Sequence, residues 1–169
     1  MILVQMHGHP GSGKSTIARA IGAALPAVVF DKDIIHSKLW EAGIDVPTAA
    51  PATHMVMRAI AADVLGQGMS VILDNPCFWP IIEEQGRLIA SHAGVPWAMV
   101  ECACADSEER GRRLATRDAL PSQPRDIQIL DRPGQYVPTC ERLIIDTTKP
   151  TDDTVPVVLA YLRQKERSA

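Results

Sequence analysis

Gly8-His9-Pro10-Gly11-Ser12-Gly13-Lys14-Ser15 is the stretch whose reading decides the fold. It satisfies the spacing Gly-x-x-x-x-Gly-Lys-[Ser/Thr], preceded by the apolar run Ile2 to Met6 and followed by a helix-forming run from Ser15 to Leu25 that Pro26 ends. Strand, glycine loop and helix give this spacing a mechanical meaning. Gly8, Gly11 and Gly13 let the backbone curl, so that N–H groups from the loop, that of Ser12 included, converge at the positive end of the following helix. The result is a cradle for anions of phosphate size. Lys14 adds a mobile charge for β- and γ-phosphates, and Ser15 supplies a hydroxyl for Mg²⁺. Thr16 is placed to touch an α-phosphate oxygen or to pack the first helical turn. ATP and Mg²⁺ are therefore the expected cofactors.

Outward from the loop, strands and helices alternate. Ala27 to Phe30 reads as a second strand, followed by polar Asp31-Lys32-Asp33 and a helix from Ile34 to Trp40. Thr48 or Thr53 can cap a long helix that runs to Leu65 and stops at Gly66 and Gly68. Ser70 to Leu73 forms a third strand closed by Asp74, Pro80 to His92 a helix with Gly94 past its end, and Val95 to Cys102 a fourth strand. Asp106 or Ser107 caps a charged helix to about Arg117. Ala119 to Pro138 is loop, punctuated by Pro121, Pro124, Pro133 and Pro138. Arg142 to Ile145 is a fifth strand ending at Asp146, and Thr154 to Arg163 a closing helix. This alternation implies an α/β domain whose parallel sheet is covered on both faces.

At 169 residues the chain suits one domain, residues 1–169, with a lid at about 106–138. Its net charge of −3 argues against a surface that coats nucleic acid, which needs excess positive charge to displace counterions. The first apolar run is too short for a signal peptide or a membrane span, so a cytoplasmic protein with no membrane partner is expected. The four cysteines contain no Cys-x-x-Cys pair and read as reduced structural thiols. Oligomeric state leaves no mark in the sequence.

Candidate chemistry lies at the strand ends. In doubly wound sheets the ligand sits beyond the carboxyl ends of the strands, which brings Asp31, Asp33 and Asp74 towards a γ-phosphate. Transfer of phosphate to an alcohol asks for one carboxylate to accept the hydroxyl proton and another to organise magnesium. Asp33 is the candidate base, and it can also be the N-cap of the helix beginning at Ile34. Asp74, after Val71-Ile72-Leu73, is the candidate ligand of magnesium or its water. Asp31 is placed to position substrate or Lys32, and it stays an alternative base. Arg110, Arg113 and Arg117, spaced i, i+3, i+7, share one face of a helix and suit a nucleotide's phosphates. Arg125 and Arg132 could close over the site from the loop.

These residues together resemble the small P-loop kinases that include chloramphenicol phosphotransferase, the kinase domain of polynucleotide 5′-kinases and zeta-toxin-like proteins. The resemblance rests on Gly8 to Thr16, on Phe-Asp-Lys-Asp33, on Ile-Leu-Asp-Asn75, on Arg-Leu-Ala-Thr-Arg at 113 to 117, and on Ile-Asp-Thr-Thr148. It implies a three-layer P-loop NTPase of nucleotide-kinase type, with five parallel strands in the order 2-3-1-4-5. It also implies that Asp33 is the general base and that Arg113 and Arg117 are lid arginines on ATP. Polynucleotide kinases carry an arginine three residues after the base, where this chain has His36. The implied activity is transfer of the γ-phosphate of ATP to a hydroxyl of a small molecule, with a nucleic-acid acceptor disfavoured and an acceptor-free ATPase or switch as the remaining alternative. Asp31, His36 and Arg58 are the candidate acceptor contacts. Trp40, Ile44, Val46 and Met55 are the candidate apolar lining of the acceptor pocket.

Overall fold

The period-two pattern of β1 (Leu3–His7) sorts the core into two halves. Val4 and Met6 point to one face and Leu3 to the other, and all are fully buried. In this computed structural model, which describes residues 1–123 and 136–168, both faces of the strand are covered by helices. The first face packs against Ile17, Ala18 and Ile21 of α1 (Lys14–Ala24) and against Val158 and Leu162 of α6 (Thr151–Arg167). The second packs against Met57, Ala61 and Leu65 of α3 (Val46–Gly66) and Ala90 of α4 (Pro80–Ala93).

The remaining elements are β2 (Val28–Asp31), α2 (Lys32–Glu41), β3 (Val71–Asp74), β4 (Trp97–Ala103), α5 (Ser107–Thr116) and β5 (Leu143–Asp146). The five strands are parallel and ordered β2-β3-β1-β4-β5, the predicted order. No helix among the described residues is long and apolar enough to cross a membrane. Gln5 is a polar residue in the middle of β1, and its amide is satisfied on both sides. It donates to Ile82 O at 3.1 Å and accepts from Trp97 Nε1 at 3.3 Å.

Helix starts differ from expectation, each for a capping reason. The helix predicted from Ile34 starts at Lys32, because Asp31 is its N-cap and accepts Asp33 N–H at 2.9 Å. Asp33 is therefore a first-turn residue and not the cap. Neither Thr48 nor Thr53 caps α3. Asp45 does, accepting Thr48 N–H at 3.0 Å, and the helix starts earlier than predicted. The charged helix α5 does have Asp106 as its cap, taking the N–H groups of Glu108 and Glu109 at 2.9 and 3.1 Å.

Candidate active site

The glycine loop fits between two elements that leave no room for side chains. A Cβ on Gly8 (φ 131°) would lie 2.3 Å from Cys102 O of β4, and one on Gly11 (φ 79°) 2.7 Å from Arg110 O of α5. Gly13 (φ 83°) is the left-handed N-cap of α1 and no side chain caps the helix, while the Ser12 N–H, expected to face a phosphate, donates to His9 O at 3.0 Å within the loop. The loop is braced from the far edge of the sheet. Thr147 Oγ1, just past β5, donates to Ser12 O at 2.7 Å, and Arg113 Nη2 donates to Thr147 O at 2.9 Å. Glu109 fixes the same arginine at 2.7 Å.

Lys14 turns back on the loop and donates to His9 O at 3.2 Å. Burial pushes its ammonium below the ordinary lysine range, against the opposing pull of Asp74 and other anionic neighbours. A half-buried cation that donates to one carbonyl beside a curled backbone is an arrangement that a polyphosphate would improve. Asp74 lies one strand away, level with Asp31 in the β2–β3 register. Burial raises its carboxyl above the usual range, opposed by Lys14 and by a hydrogen bond from the Ser15 hydroxyl. Ser15 and Asp74 thus present two hard oxygens side by side, a donor set that fits a magnesium ion carried in with phosphates.

Asp33 lines the same cavity as Lys14, Ser15 and Asp74. Its Oδ1 pairs with Lys32 Nζ at 2.8 Å and its Oδ2 accepts from Gln123 Nε2 at 2.9 Å. Burial alone would raise this carboxyl, but Lys32, Gln123 and Lys14 together hold it below the usual range. Asp31 is spoken for differently: Arg19 Nη2 reaches its Oδ2 at 3.1 Å while its other oxygen caps α2. Of the two acids, Asp33 is the one not committed to a helix end.

One cavity of about 650 Å³ connects these groups. Gly11, Gly13, Lys14, Ser15 and Thr16 form its floor, and Asp31, Asp33, His36 and Asp74 line its sides. Arg113 and Arg117 close it from α5 and its C-terminal flank. Gly8 and Ser12 are not in its lining, the first wedged on β4 and the second buried under Thr147. The shared arginine face is broken. Arg110 is buried with its backbone against Gly11, away from the cavity lining, and Arg117 is the C-cap, extended at φ −71°, ψ 149°, because α5 ends at Thr116. Arg125 and Arg132 lie outside the described residues.

Of the residues expected to meet an acceptor, Asp31 and His36 line this cavity, whereas Arg58, Trp40, Ile44, Val46 and Met55 do not. Arg58 faces a separate groove between α3 and α4 together with Met55, while Ile44 and Val46 are exposed and Trp40 packs edge-on to His36. The apolar wall of the cavity consists instead of Ile34, Ala50, Phe78, Trp79 and Leu120. His54 also lines it, one residue before Met55 and one turn before Arg58 on α3. Thr53 Oγ1 donates to Ala49 O at 2.7 Å, so at 3.3 Å from His36 Nδ1 it is the acceptor. His36 therefore carries its proton on Nδ1. Burial and nearby cations lower both rings, His54 to about 4, so both are neutral at pH 7. Phe78, Trp79, His54 and Gln123 carry no motif and were not expected from the sequence, whereas Thr147 belongs to Ile-Asp-Thr-Thr148 and only its contact with the loop was unexpected.

Comparison with known proteins bears on the fold and the family. No curated protein matches the sequence. Among solved structures, a proposed kinase from Chloroflexus aurantiacus J-10-fl superposes with TM-score 0.76 at 20% identity, covering 97% of each chain. The Mycobacterium tuberculosis APS kinase CysC, bound to AMPPNP and APS, gives 0.72 at 19% identity, covering 95% of this chain and 96% of that one. A gluconokinase from Sinorhizobium meliloti 1021 gives 0.63 at 20%, covering 98% and 93%. At such identities the likeness is one of fold, that of the P-loop kinases with sheet order 2-3-1-4-5. The family model described as AAA domain matches residues 3–131, about three quarters of the chain, and the chain belongs to that family.

Proposed function

We propose that this chain is an ATP-dependent phosphotransferase that moves the γ-phosphate of ATP to a hydroxyl group of a small molecule. The observation that carries this reading is a carboxylate, Asp33, kept ionised on the wall of the same cavity whose floor is the glycine loop. Nucleotide binding alone needs only the floor. A base facing it is useful when a hydroxyl has to be deprotonated. The superposition on an APS kinase and a gluconokinase supports the same class of reaction.

In this reading the loop N–H groups and the N-terminus of α1 bind the β- and γ-phosphates, and Lys14 leaves His9 O to follow them. Ser15 and Asp74 would hold a magnesium ion or its water. Magnesium, when bound with the nucleotide, screens charge on the β- and γ-phosphates. Asp33 accepts the acceptor's hydroxyl proton as the new O–P bond forms and the β–γ bridging bond breaks, releasing ADP. Arg113 and Arg117 face the charge that spreads over the transferring group. The acceptor lies against Ile34, His36, Ala50, Phe78 and Trp79, a wall that suits a compact, largely apolar alcohol better than a polynucleotide. His36 in place of an arginine points the same way.

The test is incubation with γ-labelled ATP, magnesium and a panel of small alcohols, with 5′-hydroxyl oligonucleotides as a separate arm. Label on a small alcohol is the expected outcome. Label only on oligonucleotides would replace the acceptor class, and release of inorganic phosphate alone would sink the transferase reading.

A further inference from the structure

The segment that follows the arginines folds down onto the proposed base. Ser122 and Gln123 meet Asp33 and Ser37, two residues one turn apart on the same face of α2. Ser122 N–H donates to Ser37 Oγ at 3.2 Å, and Ser122 Oγ donates to Asp33 O at 3.1 Å. With that proton committed, the 2.8 Å contact between the two serine hydroxyls runs from Ser37 to Ser122. Gln123 Nε2 then reaches Asp33 Oδ2 at 2.9 Å. Its amide cannot flip without loss, because Leu120 N–H donates to Gln123 Oε1 at 3.1 Å and so turns the NH₂ end to the carboxylate. The remaining partner of that carboxylate, Lys32, is its own neighbour on α2 and sets charge more than direction.

We infer that Gln123 is a positioning residue that aims the Asp33 carboxylate, and that it does so only while its segment lies across the cavity. This rests on the reading of Asp33 as the base. Gln123 stands six positions after Arg117, and Leu120 and Gln123 line the same cavity as Arg113 and Arg117. One stretch of chain therefore carries the cations of the donor end and the amide that orients the acid of the acceptor end. A hydrogen bond on one lone pair of Oδ2 leaves another for the acceptor's hydroxyl, so the contact aims the base without blocking it. Without the Gln123 amide, Asp33 keeps Lys32 and loses its aim, which disfavours proton abstraction.

The test reads Asp33 directly, by carboxyl ¹³C NMR titration of protein labelled at aspartate, with its signal assigned through Asp33→Asn. The groups facing it are Lys32, Lys14, His36, Asp31 and Asp74, all retained in every variant. Gln123→Leu should move its midpoint to higher pH, and Gln123→Glu, which sets a second carboxylate against it, should move it further. Ser122→Ala, which cuts the clamp to the backbone and leaves the amide, should shift it less than Gln123→Leu. Affinity for AMPPNP should stay within about twofold in all three, since none of the altered groups belongs to the phosphate cradle. An unchanged midpoint in both Gln123 variants overturns the inference, whatever the role of Asp33. Phosphoryl transfer that survives Asp33→Asn would instead sink the base assignment, whatever the titration shows.

Discussion

At the scale of single residues, the site separates groups that hold from groups that react. Asp31 and Asp33 are two positions apart and equally acidic by type, yet one caps a helix and pairs with Arg19 while the other faces the cavity with Lys32 and Gln123. Asp33→Asn keeps shape but cannot take a proton, and its NH₂ leaves either Lys32 or Gln123 without an acceptor. Turnover should fall by about 10²–10⁴-fold with nucleotide affinity unchanged, as measured by labelled transfer and AMPPNP titration. The histidines make a second prediction. His7, almost fully buried, accepts Cys77 N–H on Nδ1 at 3.1 Å, and burial holds it down to about 4, as it does His54. Between pH 6.5 and 4 the unfolded chain binds these protons and the folded one does not, so stability is lost as pH falls through that window. Denaturant unfolding at pH 7 and pH 5 should show a loss of roughly 1–2 kcal/mol per histidine, and His54→Gln should flatten the slope.

Elements in this fold meet through small residues at close approaches. α4 can lie on β1 because Gly86 faces Gln5, whose Oε1 would sit 2.1 Å from an added Cβ. Gly86→Ala must therefore displace a buried amide that is hydrogen-bonded at both its nitrogen and its oxygen, and it should cost about 2–3 kcal/mol in thermal unfolding despite the better helix propensity of alanine. Helix boundaries at this scale were only partly legible. Thr48, Thr53 and Asp45 are all acceptable caps by type, and which one serves depends on where α3 packs on the sheet; Thr53 ends fully buried beneath His36. The arginines differ from the helical reading for a similar reason, although Arg113 and Arg117 both line the cavity. Spacing i, i+3, i+7 presumes an unbroken helix, and α5 ends before Arg117. Arg117 reaches the cavity by leaving the helix, and Arg110 stays in it but packs on the loop.

For the whole molecule, the cavity is the product of every layer, so nucleotide binding should be felt globally. Millimolar AMPPNP with Mg²⁺ should raise the unfolding temperature, since ligand at a hundredfold over its dissociation constant adds about 2.7 kcal/mol. Removing the metal with EDTA should erase most of that rise, and Lys14→Ala should abolish it. What the sequence by itself determined is local or follows from strand ends. Gly8 to Ser15 curls because of its own glycines, and the parallel order of five strands puts Asp31, Asp33 and Asp74 on one edge, because alternating strands and helices return each strand in the same direction. Tertiary structure alone decided the rest. Thr147 touches Ser12, Gln123 touches Asp33, and Phe78 and Trp79 wall the cavity across separations that no periodicity encodes, because such contacts depend on how loops from different strands converge at one end of the sheet.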